Sequence, residues 1–216
     1  VTTSEDRQRA DIDFNVAPGP LVILGEVFIS GNLRTRPKVI RRELDVEPGT
    51  PMSLRQLHDG QRQLRDLAIF HGVGYRTFGL KEKEETVNVF VEVEENKPYY
   101  VEVGGGYESD SGLFGRAKAG DRNLFGLNKD LWASGEISET GYRVEARLTE
   151  PRFLGTRTTA TIGVFNEKVQ EFNQTFGTRT TGGSLSFGRD LGKHVTTALS
   201  FSLERRTQFS DDSQDS

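Results

Sequence analysis

The chain has 216 residues, 34% of them hydrophobic, with a mean hydropathy of −0.55. That length suits one or two domains. Apolar runs such as Leu21–Leu24 fall far short of the roughly 20 residues a spanning helix needs, which excludes a helical membrane protein. A net charge of −4 argues against a nucleic-acid partner, which calls for a basic footprint. The lack of cysteine excludes disulfides and thiolate metal sites.

Residues 1–20 begin with a polar stretch that has none of the apolar character of a signal peptide, so in an exported chain the signal is expected to have been removed or to lie further upstream. Ile12, Phe14 and Val16 then alternate with polar residues, which predicts one strand from Ala10 to Val16. A lone strand is unstable in water, so this one is expected to be the tail of a preceding domain or to pair elsewhere. Pro18-Gly19-Pro20 breaks the chain.

Residues 21–96 read as a compact unit of mixed helix and strand. Gly25–Gly31 is a strand. Arg36–Leu44 is a short helix with Pro37 in its first turn and Val39, Ile40 and Leu44 on its apolar face. Ser53 caps a longer helix carrying Leu54, Leu57, Leu64, Leu67 and Ala68. Gly60 weakens that helix by about 1 kcal/mol relative to alanine. Gly72–Leu80 is a strand, Lys81–Glu85 a charged hairpin, and Thr86–Glu95 a strand in which Val87, Val89, Val91 and Val93 share one face. The order is β-α-α-β-β.

From residue 97 the pattern changes to strand after strand, near 99–107, 112–122, 128–138, 142–152, 157–169, 175–189 and 193–208. Val144, Ala146 and Leu148 oppose Arg143, Glu145 and Arg147, and Leu199, Phe201 and Leu203 oppose Ser200, Ser202 and Glu204. Such alternation suits a transmembrane barrel, whose wall faces lipid on one side and a polar lumen on the other. It also suits a soluble β-sandwich with one wet face. Strand length favours the membrane, because spanning strands need roughly 9–11 residues and soluble strands have a mode of about 5–6. Tyr99, Tyr100, Phe125, Trp132, Phe153, Phe165 and Phe176 are expected near membrane interfaces, Phe125 and Phe153 above all because they adjoin turns.

Chemical motifs are scarce. Gly104-Gly105-Gly106 lies in a strand with no helix after it, unlike a phosphate loop. His58, His71 and His194 lack metal-ligand spacing. Glu82, Glu84, Glu85, Glu92, Glu94 and Glu95 read as a solvated hairpin tip and strand face. No nucleophile elbow is present. Neither a catalytic residue nor a cofactor or metal is expected.

Together the segments GEVFISGN and VNVFVEVEENKPYYVEVGGGY, followed by Tyr107–Gly112, Asn123-Leu-Phe-Gly126 and Glu150-Pro-Arg-Phe153, resemble the BamA/TamA-type outer-membrane assembly family. The likeness is to a POTRA domain running into that family's barrel. It implies an α+β POTRA domain (21–96) preceded by the last strand of another POTRA and a linker (1–20). After it comes the N-terminal part of an antiparallel all-β transmembrane barrel (97–216), about seven strands of about sixteen. The implied protein is a non-enzymatic insertion factor of a bacterial-type outer membrane, with its POTRA domain in the periplasm. Implied partners are unfolded outer-membrane β-barrel clients, periplasmic or lipoprotein assembly factors and outer-membrane lipid, with the missing strands supplied by the parent chain or another copy. A two-partner secretion translocator, a barrel anchoring an upstream enzymatic passenger and a soluble periplasmic module stay open as alternatives.

Two candidate sites follow. The strand Gly72–Leu80 is expected at a sheet edge, with Val73, Tyr75, Arg76 and Thr77 receiving client segments by strand addition. By the resemblance Tyr99–Tyr107 is the first barrel strand, bordering a lateral gate formed by Tyr99, Val101, Val103, Gly104, Gly105, Gly106 and Tyr107. The glycines either weaken pairing at the seam or make room for bulky neighbours. The outer edge of this strand is expected to pair with another copy, the far end of the sheet or a foreign strand.

Overall fold

The structure is a computed structural model describing residues 2–3, 10–11, 21–82, 84–170, 176–192 and 195–210. Two short strands, β1 (Thr2–Thr3) and β2 (Ala10–Asp11), pair antiparallel. Ile12, Phe14 and Val16 of the expected first strand lie outside the described residues, as do His194 and the tail beyond Ser210.

The mixed domain comprises β3 (Ile23–Ser30), α1 (Pro37–Leu44), α2 (Leu54–Asp66), β4 (Phe70–Phe78) and β5 (Thr86–Glu95). The sheet order is β3-β5-β4, with β5 central, parallel to β3 and antiparallel to β4. The valines of β5 explain its place. Val87, Val89, Val91 and Val93 are each at most 2% exposed, and Val39, Ile40, Leu44, Leu57 and Leu64 of the helices join Val89, Val91 and Val93 in one core. Alternate β5 residues therefore deliver one apolar face to the helix pair.

Local signals set the ends of the helices. Pro37 occupies the first turn of α1, and Asp45 closes it in a left-handed conformation at φ 52°. The Ser53 hydroxyl accepts the Gln56 amide at 3.3 Å, capping α2. Strand β3 begins two residues before the predicted Gly25, because the loop at 49–52 pairs with it. Leu24 N donates to Thr50 O at 2.9 Å, Gly49 N to Leu24 O at 2.7 Å and Met52 N to Val22 O at 2.8 Å. Gly60 also differs from its reading as a mere weakness. It is buried where the helices cross, and a Cβ there would stand 2.8 Å from the Leu44 carbonyl oxygen.

The remaining strands are β6 (Tyr99–Glu108), β7 (Gly112–Asp121), β8 (Asp130–Ser138), β9 (Gly141–Glu150), β10 (Thr158–Val169), β11 (Phe176–Asp190) and β12 (Thr196–Ser210). Among the described residues they form one seven-stranded antiparallel sheet in sequential order. Two short 3-10 turns, Leu124–Gly126 and Phe153–Gly155, join β7 to β8 and β9 to β10 at the end nearest the mixed domain. The sheet has the order of a barrel wall and does not close.

No described strand lies against the outer edge of β6 or of β12. Of the three partners expected for the β6 edge, the far end of the sheet is ruled out within one molecule, since β12 lies at the opposite edge. A single molecule of this chain brings no eighth strand to that edge. One face of the sheet is apolar and uncovered, with Val101 74%, Val103 81% and Leu203 83% exposed. So large an apolar surface marks an interaction or membrane face. The other face carries most of the charges.

Candidate functional site

Strand β6 pairs with β7 without a slip from Tyr99 opposite Asp121 to Glu108 opposite Gly112. Alternation places Tyr99, Val101, Val103, Gly105 and Tyr107 on the apolar face, and Tyr100, Glu102, Gly104 and Gly106 on the charged face. The ladder runs unbroken through the glycines. A Cβ on Gly106 would meet the Phe114 ring at 3.1 Å, one on Gly104 the Arg116 side chain at 3.3 Å, and one on Gly105 the Phe114 carbonyl oxygen at 2.9 Å. The run therefore makes room for β7, and its inner ladder is intact. The free backbone of this strand is on its outer side.

The base of β6 is gripped from the mixed domain. Arg34, on the loop after β3, donates to Asp121 Oδ2 at 2.6 Å, to the Tyr99 hydroxyl at 2.6 Å and to Asn123 O at 3.3 Å. Its guanidinium also lies 4.7 Å from the centre of the Tyr99 ring. One side chain thus holds both members of the terminal β6–β7 pair. The hydrogen bond to Tyr99, with Asp121 and Glu95 close by, pushes Arg34 above the ordinary guanidinium range and keeps it charged.

Glu95 at the end of β5 holds that loop in place. It accepts from Arg34 N at 3.0 Å and Thr35 N at 2.6 Å. This corrects its reading as one more solvated carboxylate. Thr35, only 1% exposed, accepts from Asn123 Nδ2 at 2.8 Å, and Asn123 Oδ1 accepts from Asn128 N at 2.8 Å. The first turn also receives Arg36, whose amide donates to Gly126 O at 2.9 Å and whose Nε donates to Phe125 O at 3.1 Å. The second turn is held by Arg152, which pairs with the buried Glu43 of α1. The Lys129–Glu150 pair at 2.8 Å ties the first turn to the base of β9.

The seven residues expected at a gate sit together on β6, while the four residues expected to receive clients lie apart on β4. The sheet order puts β4 at an edge, but the side chains differ from expectation. Val73 is 6% exposed and Tyr75 is packed against the helix-side core, where burial raises its phenol well above the ordinary range. Thr77 shares their face and is half-buried. Arg76 is exposed and pairs with Glu92 at 3.1 Å. The Val73 carbonyl accepts from Gln61 at 3.0 Å and Arg65 at 3.2 Å, so part of this edge is already covered.

Three aromatics expected at an interface stand instead on the charged face. Lys118 and Arg122 lie over Tyr100, Lys118 and Arg147 over Trp132, and Arg143 over Phe165. Their ring faces attract the cations that line this side. The Phe153 ring lies 5.4 Å from that of Phe187, beside the apolar face.

Sequence reasoning missed Arg34, Thr35, Glu43, Asp121 and Arg152. The signal lay in the two turns, Asn123-Leu-Phe-Gly126 and Arg152-Phe-Leu-Gly155, which share a pattern. Phe125 and Leu154 both adopt positive φ, at 56° and 51°, each followed by a glycine.

Two family models match the chain. The Omp85 superfamily domain covers residues 123–216, and the POTRA model, a surface antigen variable number repeat, covers residues 22–96. These matches support a BamA/TamA-type protein of the Omp85 family. It is 28% identical over 200 residues to the outer membrane protein assembly factor BamA of Neorickettsia risticii, covering 89% of this chain and 27% of that protein. It is 25% identical over 148 residues to BamA of Neisseria meningitidis serogroup B, covering 68% and 19%. The chain thus spans about a quarter or less of the relatives it matches.

Among solved structures, BamA from Haemophilus ducreyi lacking POTRA domains 1–3 superposes with a TM-score of 0.74 at 19% identity, over 88% of this chain and 37% of that one. CdiB from Acinetobacter baumannii gives 0.60 at 12% identity, over 89% and 39%. These likenesses establish the fold: a POTRA domain followed by an incomplete barrel wall of the Omp85 type.

Proposed function

We propose that this chain is the membrane-proximal POTRA and the opening part of the barrel of an outer-membrane insertase. Client β-barrel proteins are received on the periplasmic side and added strand by strand at the outer edge of β6. The observation that carries this reading is the pairing of β6. Its inner side is fully laddered to β7 and its base is held by Arg34, while among the described residues no strand pairs with its outer side. Unsatisfied groups cost several kcal/mol each in lipid. A closing strand that leaves must therefore be replaced by one that enters, and such an exchange breaks and makes equal numbers of hydrogen bonds.

The domain limits 21–96 and 97–216 belong to this reading, as does residues 1–20 being the end of an earlier POTRA. Assembly partners would meet the POTRA, and lipid would meet the apolar face.

The deciding experiment is a disulfide between position 103, changed from valine to cysteine, and the last strand of the full-length barrel. Insertion of client proteins should stop when the crosslink forms and return on reduction. Full activity with the crosslink in place rules out a lateral opening at β6. The likeness to CdiB favours a second reading, a two-partner secretion translocator. A translocator that passes its substrate through the pore keeps working with the seam locked, so the same crosslink separates the two.

A further inference from the structure

The apolar face of the sheet changes character toward the end away from the POTRA domain. Pairing register defines its rows across β9, β10, β11 and β12. Leu148, Ile162, Leu185 and Phe201 form one row, and Ala146, Val164, Gly183 and Leu203 the next. Then come Val144, Asn166, Thr181 and Arg205, followed by Tyr142, Lys168, Arg179 and Thr207. Two apolar rows give way to a polar row and then to a row with two cations side by side.

Among the described residues of β9 to β12, no carboxylate shares this face with them at that end. Asp121 and Glu150, which do lie on it, are at the POTRA end and are paired there with Arg34 and Lys129. Among the described residues Lys168 meets the Phe209 ring, at 4.5 Å, and no ion pair joins Arg179 or Arg205. Like charges directly opposite each other on neighbouring strands destabilise a sheet, and Lys168 and Arg179 are directly opposite. An anion that sits between them removes that repulsion.

The level suits a membrane boundary, since Tyr107, Tyr142 and Phe209 occupy the same face at the same end, as an aromatic girdle does. Below Arg205 lies a notch of about 700 Å³ at Gly183, lined by Ile162, Val164, Leu185, Phe201 and Leu203. An apolar notch under a cationic rim is complementary to a lipid with an anionic head.

We propose that this face binds an outer-leaflet glycolipid through phosphates on its sugar headgroup, with acyl chain seated in the Gly183 notch. The inference rests on the outer-membrane reading above. Lys168 and Arg205 are two strands apart, about 10 Å, wider than a single phosphodiester and suited to two phosphates spaced by sugars. Asn166, Thr181 and Thr207 supply neutral groups for sugar hydroxyls between them.

The test uses the full-length protein and purified diphosphorylated lipid A, with dephosphorylated lipid A and phosphatidylglycerol as comparisons. Neutralising all three cations (Lys168→Gln, Arg179→Gln, Arg205→Gln) should weaken lipid A binding by roughly fivefold per cation, about a hundredfold together. Gly183→Leu, which fills the notch and keeps the charges, should weaken it severalfold. Dephosphorylated lipid A should bind the native protein and the triple variant alike. Binding of the triple variant within about twofold of native overturns the proposal, as does phosphatidylglycerol binding the native protein as tightly as lipid A. If heat-modifiable electrophoretic mobility shows the triple variant unfolded, Arg205→Gln alone should lose about fivefold, and no loss overturns the proposal. Binding is read without client insertion, so failure here in a protein that fractionates with the outer membrane and inserts clients leaves the insertase reading standing. Fractionation elsewhere overturns both.

Discussion

Glu43 of α1 and Arg152 of the β9–β10 turn form a two-point ion pair across the junction between POTRA and barrel. Arg152 Nε donates to Glu43 Oε1 at 2.9 Å while its terminal nitrogen reaches Oε2, and the side chains are 3% and 15% exposed. Breaking one half of a pair this buried strands a charge, at roughly 3–5 kcal/mol, whereas replacing both halves by apolar residues can be nearly neutral. Glu43→Leu and Arg152→Met should each lower the unfolding midpoint and widen spin-label distances between the POTRA and the barrel. The double variant should recover most of the loss. Strictly additive losses would show that the two residues are not coupled.

The two turns invite a paired comparison. Gly126 and Gly155 both have positive φ, 71° and 77°, so alanine is strained at either. Only at Gly126 would a Cβ also strike the Arg34 carbonyl oxygen, at 2.2 Å, while the space at Gly155 is open. Gly155→Ala should cost about 1 kcal/mol. Gly126→Ala should cost more and should loosen the Arg34 grip on Tyr99 and Asp121, seen as faster amide exchange at the base of β6. Equal effects at the two sites would contradict the close approach of the POTRA to the first turn.

Residues 21–96 should fold alone, because their core is complete: Val39, Ile40, Leu44, Leu64, Val87, Val89, Val91 and Val93 are all nearly fully buried without help from the barrel. In the excised domain Gly60→Ala pits two effects against each other. Helix propensity gains about 1 kcal/mol, while overpacking at the Leu44 backbone costs about 1–3 kcal/mol. Net destabilisation is expected in thermal denaturation. Leu64→Asp should abolish the cooperative transition, since it buries an unpaired charge. A native domain without such a transition would refute independent folding.

Periodicity made most of the fold legible. The valines of β5 and the long alternating strands each report a local pattern of burial, and all seven barrel strands lie within a few residues of their predicted places. The junction was not legible in this way. Arg34 and Asp121 are 87 positions apart, and Glu43 and Arg152 are 109 apart. Their pairing depends on how two domains dock, and no local period encodes that. The aromatics misled for a related reason. Trp132 and Val144 look equally apolar in sequence, and only register reveals that Trp132 shares its face with Lys118 and Arg147. Tyr75 lies in a stretch of mixed polarity beside the exposed Arg76, yet strand alternation turns its ring onto the core beneath the helices.

The edge of β4 gives the last prediction. If clients add to this edge, they must displace Gln61 and Arg65 from the Val73 carbonyl. Those side chains then act as a cover, one of the devices by which proteins blunt exposed edges. An added strand would also lay alternate side chains beside Phe78, which stacks edge-on against Phe90 at 4.9 Å, and Phe90 stacks on Phe28 at 4.6 Å. Removing the cover with Gln61→Ala and Arg65→Ala should therefore tighten binding of a client peptide to the excised POTRA. Each lost hydrogen bond corresponds to about 1 kcal/mol, roughly fivefold in affinity. Arg76→Pro should weaken the same binding, by distorting the strand without touching the cover. The measurement is a titration of a labelled strand peptide against each variant, with circular dichroism to confirm folding. Unchanged affinity in both the uncovered and the proline variants would exclude β4 as the receiving edge. The client would then have to enter elsewhere, with the unpaired side of β6 the next place to look.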